Sequence, residues 1–402
     1  MRGEYPPKIA TGTITRGLAV SLAPVGDFAA LGERWRALEA RADASFFQSW
    51  IWTGCLAAER FPDPVLLAAE AEGETVALAL FNRRGGWRGE TLFLGESGAA
   101  GLDSPFIEHN GPLIARGWED RVMPALLGSA LRGVIAGGRI AGGRWAWGRG
   151  LVLSGVPPAL ERALRAAGAV TRRVAERVSP FLTLPGPPLL DRVSANTRYQ
   201  IRRAERRYAA AGPLEVTRAG AVAQAWEWLE AMAALHQAGW QARGKPGAFA
   251  EPFFGRFHRE LIARALPQGA CDLLRITAGG RIVGFLYNLI REGRVLSYQS
   301  GFDYAGAGGH EKPGLVCHHL AVERYRQAGY QVYDLLAGES RYKSSLADSA
   351  ATLLWIEAAA LRSVRGRVME ARGWVSGGAA RGHRKGIIQT FGASSFPPLT
   401  SS

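Results

Sequence analysis

From Cys271 to Lys343 the pattern of apolar and polar positions spells out a sequence of elements. CDLLRIT (271–277) and RIVGFLYNLI (281–290) are apolar, β-branched runs joined by Ala278-Gly279-Gly280, and Arg291-Glu292-Gly293-Arg294 leads into VLSYQSGFD (295–303). Short glycine-containing links between such runs predict antiparallel hairpins. AGAGGHEKPG (305–314) has no periodicity. From Pro313 the apolar positions Val316, Cys317, Leu320, Ala321, Tyr325 and Ala328 recur at helical spacing until Gly329. QVYDLLAG (331–338) predicts one more strand, before the polar ESRYKSSL (339–346).

The preceding chain carries a similar pattern. Residues 1–17 read as a flexible lead and GLAVSLAPV (18–25) as a strand. Asp27 can cap a helix with Phe28, Leu31, Trp35 and Leu38 on its apolar face. SFFQSWIWTGCLAAERF (45–61) predicts a second, aromatic-rich helix. Strands follow at 65–71, 75–84 and 90–97, a helix at Trp118–Leu131, a strand at 144–153, a helix at 157–168 and a strand at 178–185. Gly186-Pro187-Pro188 marks a boundary. Beyond it come a helix capped by Ser194 or Asn196, a strand at 213–220, and helices at 222–240 and 253–266. Strand, helix, helix, three strands, helix, strand is thus met twice, which predicts a diverged internal duplication. The expected organisation is a lead (1–17), an N-terminal lobe (18–185), a C-terminal lobe (186–373) and a flexible basic tail (374–402).

Composition adds limits. Apolar residues are 47% and charged residues 21% of 402, an ordinary globular balance that suits two or three domains. No apolar run approaches the ~20 residues of a membrane helix, and the first 17 residues lack a signal-peptide core. The three cysteines, Cys55, Cys271 and Cys317, are far apart and odd in number, which disfavours a disulfide framework or metal site. A reduced, cytoplasmic protein is expected. The net charge of +14 favours anionic partners: nucleic acid, acidic lipid or a phosphorylated cofactor. Yet only Lys8, Lys245, Lys312, Lys343 and Lys385 are lysines, and this arginine skew resembles the codon usage of a GC-rich genome.

A glycine-rich turn running into a helix start can hold an anion, because free N–H groups and the helix dipole point at one place. This nominates the backbone of Gly306, Gly308, Gly309, Gly314 and Leu315, with Lys312 nearby; an ordinary exposed turn is the plain alternative. Arg198, Arg202 and Arg206 lie one turn apart, as an anion-binding stripe or a solvated helix side. His236 is more naturally a satisfied core residue than a base. Proton-handling candidates are Asp303, His310, Glu311, Asp334 and Tyr342. Asp334 lies within an apolar strand, so it needs a partner, and an arginine there would make it structural. The chain has no HExxH, CxxC, GxSxG or GxxxxGK[ST], so metalloprotease, zinc, serine-hydrolase and P-loop chemistry lose support. The adjacent His318 and His319 point to different sides of a helix, and no metal is expected.

The order of elements resembles the acyl-CoA-binding core of the GNAT acyltransferases. In detail it is similar to the CelD-like (cellulose-biosynthesis-associated) and FemAB-like group. The matching positions are Asn196, Arg198, Arg202-Arg203, Leu235-His236, Trp240, Arg243-Gly244, Phe302-Asp303-Tyr304, Pro313-Gly314, Asp334, Gly338 and Tyr342-Lys343. In place of the usual Arg or Gln ahead of two spaced glycines, Asp303 and Tyr304 precede Gly306, Gly308 and Gly309. The resemblance implies an α/β fold of tandem GNAT-like units, each a mixed, mostly antiparallel sheet flanked by helices, with the first lobe degenerate. It implies acyl-CoA or acetyl-CoA as co-substrate, a Ser300–Gly301 backbone N–H polarising the acyl carbonyl, and Tyr342 protonating the leaving thiolate. Lys343 would bind a donor or acceptor phosphate, and Asn196, Arg198, Arg202, His236, Trp240 and Arg243 would face the acceptor. That acceptor would be an amine or hydroxyl of a cell-envelope or exopolysaccharide-related molecule. The alternatives are FemAB-type transfer from aminoacyl-tRNA and a non-catalytic accessory protein of polysaccharide synthesis.

Overall fold

The computed structural model describes residues 11–15, 17–86, 89–131, 149–308, 311–338 and 341–376. They fall into two compact units, one holding the chain up to Glu176 and again from Leu353, the other Arg177–Thr352.

In the first unit, β1 (Thr11–Thr15), β2 (Leu18–Pro24), β3 (Pro64–Ala71), β4 (Glu74–Gly86) and β5 (Gly89–Leu94) pair antiparallel in succession. Part of the stretch expected to be a structureless lead is therefore a hairpin strand. β6 (Gly150–Val156) runs parallel to β5 from Thr91↔Gly150 to Phe93↔Val152. The sheet is apolar on both faces because alternate residues of an apolar strand point to opposite sides. Val65, Leu67 and Ala69 pack with α2 (Glu119–Leu131) and α3 (Pro158–Ala166). Ala68, Leu78 and Leu80 pack with Leu31, Trp35 and Leu38 of α1 (Phe28–Glu39). Asp27 caps α1, accepting from the N–H groups of Ala29 (2.7 Å) and Ala30 (3.2 Å).

Residues 45–61 are not one helix. They form a 3₁₀ turn (Phe46–Gln48) and two short helical turns, Trp50–Thr53 and Ala57–Arg60. Ser49 starts a new cap inside the run and Leu56 is left-handed (φ 51°), so the apolar pattern survives without a continuous axis.

On β7 (Ala169–Thr183) the chain passes into the second unit. There α4 (Ala195–Ala209), capped by Ser194, precedes β8 (Leu214–Arg218), α5 (Val222–Gln241) and α6 (Pro252–Ala265). Then β9 (Cys271–Ala278), β10 (Arg281–Arg291) and β11 (Arg294–Phe302) complete an antiparallel run with β8. α7 (Pro313–Gln327) leads to β12 (Val332–Asp334), which pairs parallel to β11 from Arg294↔Val332 to Leu296↔Asp334. α4 and α7 cover one face through Ile201, Tyr208, Val316 and Ala321, with Cys317 among them. Trp228 of α5 and Phe254 and His258 of α6 lie on the other, against Phe285 and Tyr298. Both units thus repeat strand, helical segments, three antiparallel strands, helix, and a strand parallel to the last.

Two elements depart from the pattern expected. β12 stops at Asp334 because Leu336 turns left-handed (φ 59°). After α8 (Arg341–Leu346), β13 (Ser349–Ala360) returns to the first unit and pairs antiparallel with β6, a strand that is not among the elements expected from sequence.

Gly301 marks where α5 lies hard against β11: a Cβ there would sit 2.3 Å from the Met232 carbonyl oxygen. Gly301→Ala should lower the urea midpoint of the second unit by the equivalent of about 1–3 kcal/mol. Gly255→Ala, on α6 with open space around it, should be neutral or stabilising by up to ~1 kcal/mol. Equal midpoints for the two variants would contradict the packing described.

Candidate active site

β11 outruns its parallel neighbour. Beyond Leu296↔Asp334 the stretch to Phe302 has no β12 partner, and its backbone polar groups on that side need other company. His236 of α5 supplies some: its Nδ1 is 3.0 Å from the Ser300 carbonyl oxygen, and its Nε2 accepts from the Ala248 N–H at 3.3 Å. The two contacts fix the tautomer as Nδ1–H. Burial is the main cause of a pKa lowered to about 4, so the ring is neutral. His236 is therefore a structural bridge with both nitrogens engaged. In an extended strand one residue's N–H and C=O point the same way, so the Ser300 N–H also faces the open side.

α5 ends at this place. Trp240 lies against His236 (ring centroids 5.8 Å), and Arg243 stacks over Trp240 at 4.9 Å while its Nε donates to the Gly239 carbonyl at 2.6 Å. Tyr304, just past β11, lies beside Gly239 and also reaches Gly314, where a Cβ would meet its hydroxyl at 3.4 Å and the Phe302 ring at 3.2 Å. A side chain at Gly314 would thus crowd the Phe302 ring packed on the start of α7.

The glycine loop is less open than its composition suggests. The Gly306 N–H donates to Asp303 Oδ1 at 2.7 Å. Glu311 pairs with Arg281 at 2.7 Å, and its own N–H donates to the Gly308 carbonyl at 3.0 Å. The Leu315 N–H is taken by the Lys312 carbonyl at 3.0 Å. Gly306 and Leu315 therefore do not offer free N–H groups, because the loop's own carboxylate and carbonyl got there first. Asp303 and Glu311 are the loop's braces. Lys312 is left-handed (φ 43°) where the loop turns into Pro313. Gly309 and His310 lie outside the described residues, as does the basic tail beyond Ser376.

Tyr342 joins the site through α7. Its ring stacks on His318 (5.0 Å, 17°), and His318 Nδ1 is 3.0 Å from the Tyr333 hydroxyl. Lys343 turns inward, donating to the carbonyls of Leu336 (3.0 Å) and Ala337 (3.2 Å), so its ammonium braces the chain after β12. Asp334 has the arginine partner it needs: Arg294 at 3.0 Å, with Ser179 at 3.0 Å. Phe302 and Tyr304 were given no role from sequence, and His318 was weighed there only with His319 as a metal pair. Only Phe302 and Tyr304 carried a signal, their place in the matched motif.

Asn196 and five arginines lie on α4. Arg198, Arg202 and Arg206 border an open groove of about 730 Å³ with Tyr199 and Glu205. Among the described residues the guanidinium groups of these three and of Arg203 and Arg207 have no hydrogen-bond or ion-pair partner, and Tyr199 is 55% exposed. Glu205 instead holds His319 at 2.6 Å, tying α4 to α7. Among the described residues no group of three or more His, Cys, Asp or Glu is placed to hold a metal ion, and no helix is long and apolar enough to cross a membrane.

Three buried histidines give the second unit a pH signature. Burial lowers His236 to about 4 and His258 and His318 to about 3. Unfolded, each binds a proton near its ordinary ~6.5; folded, each stays neutral. Stability should be complete above pH ~6.5 and fall as pH drops below it, by about 1.4 kcal/mol per pH unit for each histidine. Urea midpoints at pH 7.5 and 5.5 check this; equal midpoints would contradict the neutral, buried state.

Residues 195–344 match the family described as acetyltransferase (GNAT) domain. No curated protein matches the chain by sequence. Among solved structures, FemX superposes with a TM-score of 0.56 at 10% identity, covering 85% of this chain and 98% of that one. L-PGS from Bacillus licheniformis superposes with a TM-score of 0.50 at 13% identity, covering 85% and 96%. At such identities the likeness is one of fold. It agrees with the open strand edge, the glycine loop and the helix that follows it. The second unit of this protein is accordingly a GNAT-type N-acyltransferase domain, in a fold shared with FemX.

Proposed function

We propose that the second unit moves an acyl group from acyl-CoA to an amine or hydroxyl of a cell-envelope or exopolysaccharide-related acceptor. The observation that carries this is the unpaired edge of β11 from Ser297 to Phe302, set beside the start of α7. A thioester laid along that edge would have its carbonyl oxygen near the Ser300 N–H. Attack by the acceptor nitrogen or oxygen forms the new bond to the acyl carbon, and the carbonyl oxygen carries the charge that the N–H stabilises. The C–S bond then breaks, the thiolate takes the Tyr342 hydroxyl proton, and the acceptor's proton leaves to water or to Asp303. Lys312 at the loop is the cation for donor phosphates. Trp240 and Arg243 suit the acceptor side, and Asn196, Arg198 and Arg202 a more distant anionic part of either substrate. The acceptor class follows the resemblance to CelD-like and FemAB-like acyltransferases. The first unit, with the same order of elements, we take as the degenerate copy.

Two observations favour a second reading, transfer from aminoacyl-tRNA. Asp303 and Glu311 occupy the glycine loop, which weakens it as a pyrophosphate cradle. The partnerless arginines of α4 line an open groove that suits a phosphate backbone.

Calorimetric titration with coenzyme A and acetyl-CoA separates the readings. Acyl-CoA use predicts micromolar binding, weakened about tenfold, or ~1.4 kcal/mol, in Lys312→Ala. No binding of either compound at low salt would remove coenzyme A as donor and make charged tRNA the ligand to titrate next.

A further inference from the structure

The first unit has the same parting of strands, and a piece of its own chain lies in it. β5 and β6 pair parallel as far as Phe93↔Val152. Past that pair each strand reaches a left-handed glycine, Gly95 (φ 66°) after β5 and Gly155 (φ 65°) near the end of β6. In the second unit the left-handed residue after the last parallel pair is Leu336. The strands of both units thus separate at corresponding places.

Ile107–Asn110 occupies the first opening. The Asn110 side-chain Nδ2 donates to the Leu94 carbonyl at 3.0 Å, and the Asn110 backbone N–H donates to the Gly155 carbonyl at 2.9 Å. One residue therefore bonds to both strands. Its Oδ1 accepts from the Gly111 N–H at 2.8 Å, which fixes the orientation of the amide. A Cβ on Gly155 would lie 2.5 Å from the Ile107 carbonyl oxygen and 2.7 Å from the Glu108 Cα, and one on Gly95 would lie 3.1 Å from the Ile107 side chain. Ile107, Glu108 and Asn110 are all buried. Ser45 Oγ anchors the segment through the His109 carbonyl (2.7 Å), and Gln48 Nε2 through the Pro112 carbonyl (2.8 Å). Ser154 adds a further tie, donating to Glu96 at 2.6 Å.

The length of the connection makes this possible. Residues 95–118 join β5 to α2, whereas 303–312 join β11 to α7. The shorter connection bonds to β10 and to itself, through the Asp303 N–H to the Val283 carbonyl and the Gly306 N–H to Asp303. Past β12 the carbonyls of Leu336 and Ala337 are met by the Lys343 side chain instead of an inserted backbone.

We infer that Ile107–Asn110 is a built-in plug of the first unit's strand opening, so that the protein takes one acyl donor per chain, at β11. The inference rests on the reading that the donor occupies the corresponding opening of the second unit. A donor could enter the first opening only by displacing Asn110, which would strip the Leu94 and Gly155 carbonyls of their partners inside the protein.

Hydrogen–deuterium exchange on the full chain tests this, together with equilibrium dialysis against labelled acetyl-CoA. The Asn110 amide should exchange as slowly as the paired amides of β3 and β4, with or without acetyl-CoA, and dialysis should saturate at one acetyl-CoA per chain. Asn110→Ala keeps the backbone bond and removes the partner of the Leu94 carbonyl. It should speed exchange across 107–110 by about tenfold or more and leave the acetyl-CoA Kd unchanged. Saturation at two per chain overturns the inference. So does a parent Asn110 amide that exchanges more than about tenfold faster than β3 and β4, because the segment would then open while the unit stays folded. If acetyl-CoA does not bind at all, the coenzyme A reading fails alone, and the exchange rate of the parent Asn110 amide still decides whether the first opening is shut.

Discussion

The buried carboxylate of Asp334 decides where the sheet of the second unit opens. It is fully enclosed, and a charge there persists only with donors around it. Arg294 and Ser179 supply two, and the third is the N–H of Leu336 at 2.8 Å, from its own chain two residues on. That last bond turns the backbone left-handed and out of the sheet, while β11 continues through a bulge between Ser297 and Gln299. A strand edge is thereby exposed inside a folded unit, and the surrounding residues are arranged to meet what it leaves unpaired.

The answer comes from three directions. α5 crosses so close that Gly301 can carry no side chain, and from it His236 satisfies the Ser300 carbonyl. α7 begins beside the edge on a glycine packed by Phe302 and Tyr304, and its His318 meets the Tyr333 hydroxyl of β12. After β12, Lys343 collects the Leu336 and Ala337 carbonyls and leaves Tyr342 stacked on His318. The Ser300 N–H remains directed at the opening. The first unit repeats the geometry in outline, with β5 and β6 parallel over three residue pairs, yet it lacks an arginine-held aspartate at the corresponding turn among the contacts described.

Much of this was legible in the sequence, for local reasons. Glycine-containing links fixed the hairpins of β9–β11, Pro313 and Gly329 bracketed α7, and the repeated element order announced two units of one design. The cost of a buried carboxylate was enough to require an arginine for Asp334. Bonds within the loop were not legible. Composition cannot reveal that Asp303 takes the Gly306 N–H or that Lys312 takes that of Leu315. His318 was hidden because the first turns of α7 are buried all round, so helical spacing does not distinguish it from its neighbours. β13 was given no element within the expected C-terminal lobe (186–373), although Leu354, Ile356 and Ala358 alternate into the first unit's core.

The central claim is that the acyl donor lies along the free edge of β11 at the head of α7. Hydrogen–deuterium exchange with and without saturating acetyl-CoA reads this residue by residue. The account predicts slowed exchange along 297–304, in the loop as far as Lys312 and in the first turn of α7. Protection along α4 instead, with the β11 edge exchanging as before, would contradict it.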